Sequence, residues 1–383
     1  MRFTSAKLFL LEIPFAASFR HSRAERTSSA SAVLRLEDGH GSVGYGEGLP
    51  RPYVTGETLE TLRQAIVRHF WPAIAGLELP EAVVEDGREV LEKVSSFLTD
   101  PPGGFINPAA RCATELAVLD TLLKSRGLSL GSLLTPVQGM VQYAGAISLE
   151  NAEAAFRQAR LLRLMGMTRA KVKIARTGYE DLIAAVRRGL GPGAVIGVDA
   201  NGDFDETTAL RMMEALAPLG VSFVEQPLPR EDFSALRHLH ARAPLPIAVD
   251  ESLVTITDAE ALVREKSCDI FNLRISKCGG LLRTLRIAEL GRRSGLRLHF
   301  GCQVGETALL SAAGRHLAAH LGSLDHIEGS YGELLLREDL SEGNTRFGYG
   351  GLAPLLEGPG LGVMVREDVL NKYAVEIIDL VPP

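Results

Sequence analysis

Three acidic residues stand at nearly equal intervals, Asp199, Glu225 and Asp250. Each closes a short apolar run: VIGVD, VSFVE and PIAVD. The gaps of 26 and 25 residues suit one strand plus one helix of a parallel β/α repeat. Carboxylates at the ends of three consecutive parallel strands converge at one end of a sheet or barrel. Such hard oxygen donors suit Mg2+, with Mn2+ as a substitute. A single Asp after a strand more often caps the next helix; three in succession point to a metal site.

Lysines flank this set. The string AKVKI carries Lys171 and Lys173, and NLRISKCGG carries Lys277. A proton α to a carboxylate is very weakly acidic, and its removal leaves an enediolate. A divalent metal stabilises that charge as a Lewis acid, and a lysine held neutral can take the proton. In a ring of eight strands the second and sixth face each other. Lys173 and Lys277 are therefore expected to reach in from opposite sides, with the carboxylates between them. Glu306 opens the helical string ETALLSAAGRHLAAHL, where a negative charge is favourable in any case. His299, inside an apolar strand, reads as a packed core residue. Cys278 and Cys302 read as small packing residues near the mouth.

The elements that must place these groups follow from periodicity. Short apolar strands alternate with amphipathic helices from about residue 137. The candidate strands are residues 141–147, 170–174, 194–199, 222–225, 247–250, 269–275, 296–301 and 326–330. Eight such units predict a closed parallel barrel with right-handed crossovers, whose active site sits at the strands' C-terminal ends. The eighth unit lacks a good helix. Before the barrel, KLFLLEI and SAVLRLED read as antiparallel strands joined by a polar loop over residues 15–29, and SVGYGEG as a third strand. Helical patterns are predicted over 57–70, 80–98 and 108–124. The expected division is an α+β unit over 1–126, a barrel over 127–352, and a tail over 353–383 that returns to the first unit through AVEIIDL.

Composition narrows the function. The chain has 383 residues, 46% hydrophobic and 23% charged, with a net charge of −6. That balance fits a globular protein, and the absence of a basic stripe with aromatics argues against nucleic acid. No apolar stretch reaches the roughly 18 residues that span a bilayer. The four cysteines are scattered and form no CxxC pair, as expected for reduced thiols in a cytoplasmic protein.

The strings AKVKIA, VDANGDF, FVEQP, AVDES, NLRISKCGG and GCQVGET, in this order, resemble the enolase superfamily in its muconate lactonizing enzyme subgroup. The resemblance spans essentially the whole chain. It implies an α/β fold: a modified TIM barrel, (β/α)7β, with an α+β capping domain from the N-terminal part and the C-terminal tail. It also implies that Asp199, Glu225 and Asp250 bind Mg2+ and that Lys173 and Lys277 are the acid/bases. Lys171 would tune Lys173, with Asn201, Glu251 and Glu306 in support. Arg20, Arg51 and Tyr53 on the capping loops, with Gln303 and Glu328, would set specificity. RPYVTGET resembles a capping string of the dipeptide epimerase branch. Where that branch carries Asp-x-Asp, this chain has Glu328 and no second aspartate. Arg274 stands where many members have another lysine.

The function expected from two lysines is racemisation or epimerisation of an amino-acid derivative or dipeptide through an enediolate. A muconate-type cycloisomerase or a syn-dehydratase is the alternative with one lysine. A non-catalytic barrel binding protein is the alternative of a different class. The expected partner is a small carboxylate, without nucleic acid or membrane, bound by a homo-oligomer.

Overall fold

Two sheets carry the architecture. The computed structural model describes residues 2–21, 24–77, 86–103, 106–148, 151–341 and 345–381, with the backbone alone for 17–21 and 24–26. The strands are β1 (Phe3–His21), β2 (Ala24–Asp38), β3 (Val43–Gly48), β4 (Met140–Gln142), β5 (Gly145–Ile147), β6 (Arg169–Lys173) and β7 (Val195–Asp199). They continue with β8 (Val221–Glu225), β9 (Ile247–Val249), β10 (Ile270–Leu273), β11 (Arg297–Phe300), β12 (His326–Ile327), β13 (Leu352–Pro354) and β14 (Ala374–Asp379). One sheet is antiparallel in the order β14-β1-β2-β3. The C-terminal strand thus lies beside the first, with Leu8 opposite Ile378.

The polar stretch expected as a loop over 15–29 is instead the far end of the β1–β2 ribbon. Phe19 lies opposite Arg26, after an irregularity between Pro14 and Phe19. Polarity does not prevent two backbones from pairing, so composition alone could not separate a ribbon from a loop.

The glycines of β3 explain how this sheet meets its helix, α1 (Pro108–Lys124). A Cβ on Gly46 would lie 2.0 Å from Ala113 O and 2.3 Å from Ala117 N. On Gly44 it would lie 2.2 Å from Thr121 N, and on Gly48 2.2 Å from Ala109 O. Glycines two apart share one face of a strand, so α1 lies directly on the backbone of β3. Gly46→Ala is expected to lower stability by about 2 kcal/mol or more, as overpacking against fixed backbone does; thermal unfolding would measure it. Glu47, between these glycines, points the other way. Its carboxylate accepts from Thr307 Oγ1 (2.7 Å) and N (3.1 Å) and from Leu310 N (3.3 Å). These donors belong to the N-terminus of α2 (Ala308–Leu321), so one strand clamps both a capping helix and a barrel helix.

The second sheet is parallel, β5 to β12 in sequence order. Its ends meet through a hydrogen bond from Ala144 N–H to Ile327 C=O (2.7 Å). The helix after β12 is only Gly332–Leu335, giving a (β/α)7β barrel. The segment 141–147, expected as one strand, divides. Tyr143 N–H donates to Gly351 C=O (2.8 Å), and β4 pairs antiparallel with β13. Only Gly145–Ile147 enters the barrel. Within 80–98 the helix is Gly87–Phe97, and residues 78–85 lie outside the described residues. AVEIIDL forms β14. Among the described residues no helix is long and apolar enough to cross a membrane.

Candidate active site

Register places Lys173, Asp199 and Glu225 in a single layer, with Asp250 two residues beyond it. Lys173 is in register with Asp199, and Asp199 with Glu225. Lys171 and Lys173, two apart on β6, face the same way. Asp199, Glu225 and Asp250 are each about 1% exposed. Lys171 Nζ lies 2.8 Å from Glu225 Oε1, 2.6 Å from Glu328 Oε2 and 3.8 Å from Asp199 Oδ2. Lys173 Nζ lies 3.6 Å from Asp199 Oδ2 and donates to Asn201 Oδ1 at 3.1 Å. Asn201 Nδ2 in turn donates to Glu251 Oε1 at 3.3 Å.

The electrostatics follow from crowding charges in a dry place. Burial lifts Glu225 to about 8; Lys171 opposes this, while Asp199, Asp250 and Glu328 add to it. Burial works against the Lys171 ammonium, but Glu225, Glu328 and Asp199 outweigh it and hold the pKa well above the ordinary lysine value. Lys171 is thus a fixed cation. Burial opposes the Asp250 carboxylate too, and Arg274 and Lys277 overcome it and keep the group ionised. Burial, then Asp250 and Asp199, raise Glu251 to about 7. Its Oε2 is buried without a hydrogen-bond partner among the described residues.

Lys277 joins the acidic layer through Asp250. The chain winds into the turn Ile275–Cys278 just after β10, and Lys277 extends from this turn to Asp250. Its side chain is 0% exposed. Its Nζ donates to Asp250 Oδ1, Asp250 O and Asn272 O, all at 2.8 Å. The residue at the strand end is Arg274. Its Nη2 donates to Asp250 Oδ2 and lies 3.7 Å from Glu225 Oε1, and its Nη1 donates to Gln303 Oε1 at 3.1 Å.

The remaining expected residues divide between the site and its scaffold. Gln303 is 1% exposed, and its N–H donates to Glu306 Oε1 at 2.6 Å. The two therefore fold one loop onto Arg274. Glu328, just after β12, is engaged by Lys171. The Arg51 guanidinium donates to Val304 O (2.6 Å), Pro50 O (2.8 Å) and Ala30 O (3.2 Å), bracing the capping loop on the barrel loop. Tyr53 borders a cavity of about 260 Å³ that Asn201, Gln226, Arg230 and Glu251 also line. The Arg20 side chain lies outside the described residues. His299 is buried, its ring edge-on to Phe223 at 4.4 Å, as a core histidine. All four cysteines are free, and Cys278 is buried.

Gln226, in FVEQP, was not singled out from the residues. Its Oε1 accepts from Asp250 N (3.0 Å) and Ser252 N (3.1 Å), and its Nε2 donates to Leu228 O and Ser252 Oγ, both at 2.8 Å. It fixes the backbone that presents Asp250. Gln226 (φ 41°), Asn201 (φ 46°) and Ser330 (φ 57°) adopt left-handed backbone just past strand ends. Such conformations concentrate at functional sites. Glutamine beside an acidic strand end was the available signal.

A divalent cation suits this donor set in kind: three buried carboxylates on adjacent strands, with an unpartnered Glu251 oxygen beside them. Lys171, Lys173 and Arg274 stand among the acids, and among the described residues no three His, Cys, Asp or Glu side chains are gathered as a metal centre. Binding a cation therefore requires these side chains to yield contacts.

A capped (β/α)7β barrel with lysines and acids on consecutive strand ends is the architecture of a carbon-acid enzyme. Residues 154–369 match the family described as enolase C-terminal domain-like. The chain belongs to the enolase superfamily, with muconate cycloisomerases and dipeptide epimerases among its relatives. It is 31% identical over 295 residues to a hydrophobic dipeptide epimerase of Enterococcus faecalis, covering 76% of this chain and 80% of the relative. It is 25% identical to muconate cycloisomerase 1 of Rhodococcus opacus, covering 96% and 97%. Among solved structures, the N-succinyl Arg/Lys racemase of Bacillus cereus superposes with a TM-score of 0.89 at 24% identity, covering 100% of both chains. A dipeptide epimerase of Cytophaga hutchinsonii, complexed with Mg and D-Ala-L-Val, does so with 0.87 at 22%, again over 100% of both.

Proposed function

We propose that the protein is a Mg2+-dependent isomerase-type enzyme that removes the proton α to the carboxylate of a small acid. The observation that supports this reading most is the position of Lys173. Its side chain is 24% exposed beside a buried acidic layer, against 6% for Lys171 and 0% for Lys277. Asp199, Glu225 and Asp250 would hold the cation, which supplies Lewis-acid stabilisation of negative charge on substrate oxygens. Lys173 Nζ takes the proton, and the electron pair left on carbon passes into the carboxylate as an enediolate. Lys171 stays charged and balances Glu225 and Glu328. Asn201 Oδ1 accepts from Lys173 Nζ at 3.1 Å and orients it. The residues 1–126 and 353–383 would form the cap and 127–352 the catalytic barrel.

The substrate class is an amino-acid derivative or a muconate-like diacid. N-succinyl-L-arginine, L-leucyl-L-tyrosine and muconate, the last followed by its consumption, form a panel drawn from the relatives' chemistry. In D2O with Mg2+, NMR should show loss of the α-hydrogen from at least one amino-acid probe or turnover of the diacid. Neither result at calorimetrically verified metal loading would defeat the proposal. Asp199→Asn should weaken Mg2+ binding by about 100-fold or more, beyond the 10–100-fold usual for outer partners of a metal site.

A further inference from the structure

We propose that Arg230 anchors the Pro52–Thr55 turn of the cap to the barrel, so that Tyr53 walls a subsite for the part of the substrate beyond its reacting carbon. The inference deepens the proton-abstraction reading above and rests on it for the substrate. Pro52–Thr55 is a single helical turn, and so short a helix cannot satisfy its own last carbonyls. Pro52 O accepts from Gly56 N–H (3.1 Å), and Arg51 O accepts from the N–H groups of Val54 and Thr55, both at 2.9 Å. The Val54 carbonyl accepts from Arg230 Nη1. Val54 itself is fully buried, so the guanidinium holds a packed residue.

Arg230 lies in the loop after β8, directly behind Pro229, whose ring fixes its own backbone angle. The Arg230 carbonyl accepts from Ser252 Oγ at 2.9 Å, and Ser252 Oγ accepts from Gln226 Nε2 at 2.8 Å. Gln226 also accepts the Asp250 N–H. The loop that presents Asp250 and the loop that holds the cap are therefore one hydrogen-bonded unit. The second anchor of the turn is Arg51, which donates to Val304 O in the loop after β11. In the barrel order β8 and β11 lie three strands apart among eight. The turn is thus held at two separate points around the mouth.

Between the turn and the barrel loops lies the cavity of about 260 Å³, bordered by Tyr53 from the cap and by Asn201, Arg230 and Glu251 from the barrel. Asn201 is also the residue to which Lys173 donates at 3.1 Å. A group in this cavity is therefore one side chain away from the acid/base. Amide, guanidinium and carboxylate groups stand in its walls, and covering them with hydrocarbon would leave them unpaired. The cavity suits a polar, hydrogen-bonding segment such as a peptide or an acyl amide. Arg230 acts on that segment through the turn that carries Tyr53, which makes it a positioning residue.

Two measurements on the full chain test this, and the first needs no substrate. By hydrogen exchange and mass spectrometry, Arg230→Ala should speed exchange at Val54, Thr55 and Gly56 by about tenfold or more, the worth of one hydrogen bond from a charged donor, and leave the barrel strands unchanged. Arg230→Lys, which keeps a donor, should speed it less. The second measurement uses whichever of N-succinyl-L-arginine, L-leucyl-L-tyrosine and muconate the Mg2+-loaded wild type converts. Arg230→Ala should raise KM by about tenfold or more, because fewer molecules hold the competent arrangement, while kcat holds. Tyr53→Ala should raise KM too, and the double variant should do no worse than the larger single effect, since both remove the same wall. Unchanged exchange at the turn would overturn the proposal, as would unchanged KM, loss of kcat alone or multiplying effects in the double variant. If Arg230→Ala fails to fold, Arg230→Lys is read the same way, and no change in its exchange or KM overturns the proposal. If wild type converts no probe, the proton-abstraction reading falls and the subsite with it. Faster exchange at the turn would then still establish the anchor, so the two failures are distinct.

Discussion

Lys173→Ala is expected to lower turnover by about 10²–10⁴-fold, the contribution typical of a positioned acid/base, while Mg2+ affinity holds or rises. The direction of the second effect separates a base from a metal ligand. Lys173 Nζ stands 3.6 Å from Asp199 Oδ2, so its amine competes with any cation for that carboxylate. Removing it relieves competition, whereas removing a ligand removes an oxygen. Stability should change by no more than about 1 kcal/mol, since the side chain is partly exposed and lies outside the packed core. Calorimetric Mg2+ titration beside steady-state kinetics reads both effects. A loss of Mg2+ affinity parallel to the loss of turnover would reassign Lys173 to the metal's support.

The strand ends were the most legible part of this chain. VIGVD, VSFVE and PIAVD each close an apolar run that can only be a buried strand, and the 26- and 25-residue intervals fix the repeat. Asp199, Glu225 and the end of β9 therefore fall where periodicity puts them. The glycines of GYGEG were visible as a string, but their role was not. It depends on α1 approaching from another part of the chain, which no local pattern encodes. The burial of Lys277 was hidden for a similar reason. In NLRIS an apolar Ile275 follows Arg274, and alternation alone let the strand reach residue 275. The chain instead turns at Arg274 into four residues of helix, and Lys277 is fully buried against Asp250. Glu328 differs again: its location after β12 was legible, but its engagement by Lys171 depends on two strands separated by most of the barrel meeting at its seam.

Lys277→Met is expected to cost about 3 kcal/mol of stability, near the lower end of the range for breaking a buried ion pair. The volume is roughly kept, but the three donations to Asp250 Oδ1, Asp250 O and Asn272 O are lost. Arg274 still faces the Asp250 carboxylate, which is why the cost stays below that of an unpaired buried charge. Asp250 O also keeps its bond from Leu253 N–H at 3.0 Å, which limits the penalty of an unmade buried hydrogen bond. Asp250 should then shift, so Mg2+ affinity should fall together with stability. A proton carrier would behave otherwise: its replacement would stop the reaction and leave unfolding and metal binding unchanged. Chemical denaturation and Mg2+ titration of Lys277→Met therefore decide between a brace and a base without any substrate. Losses in both quantities establish the brace. Unchanged stability with unchanged metal affinity would exclude the brace.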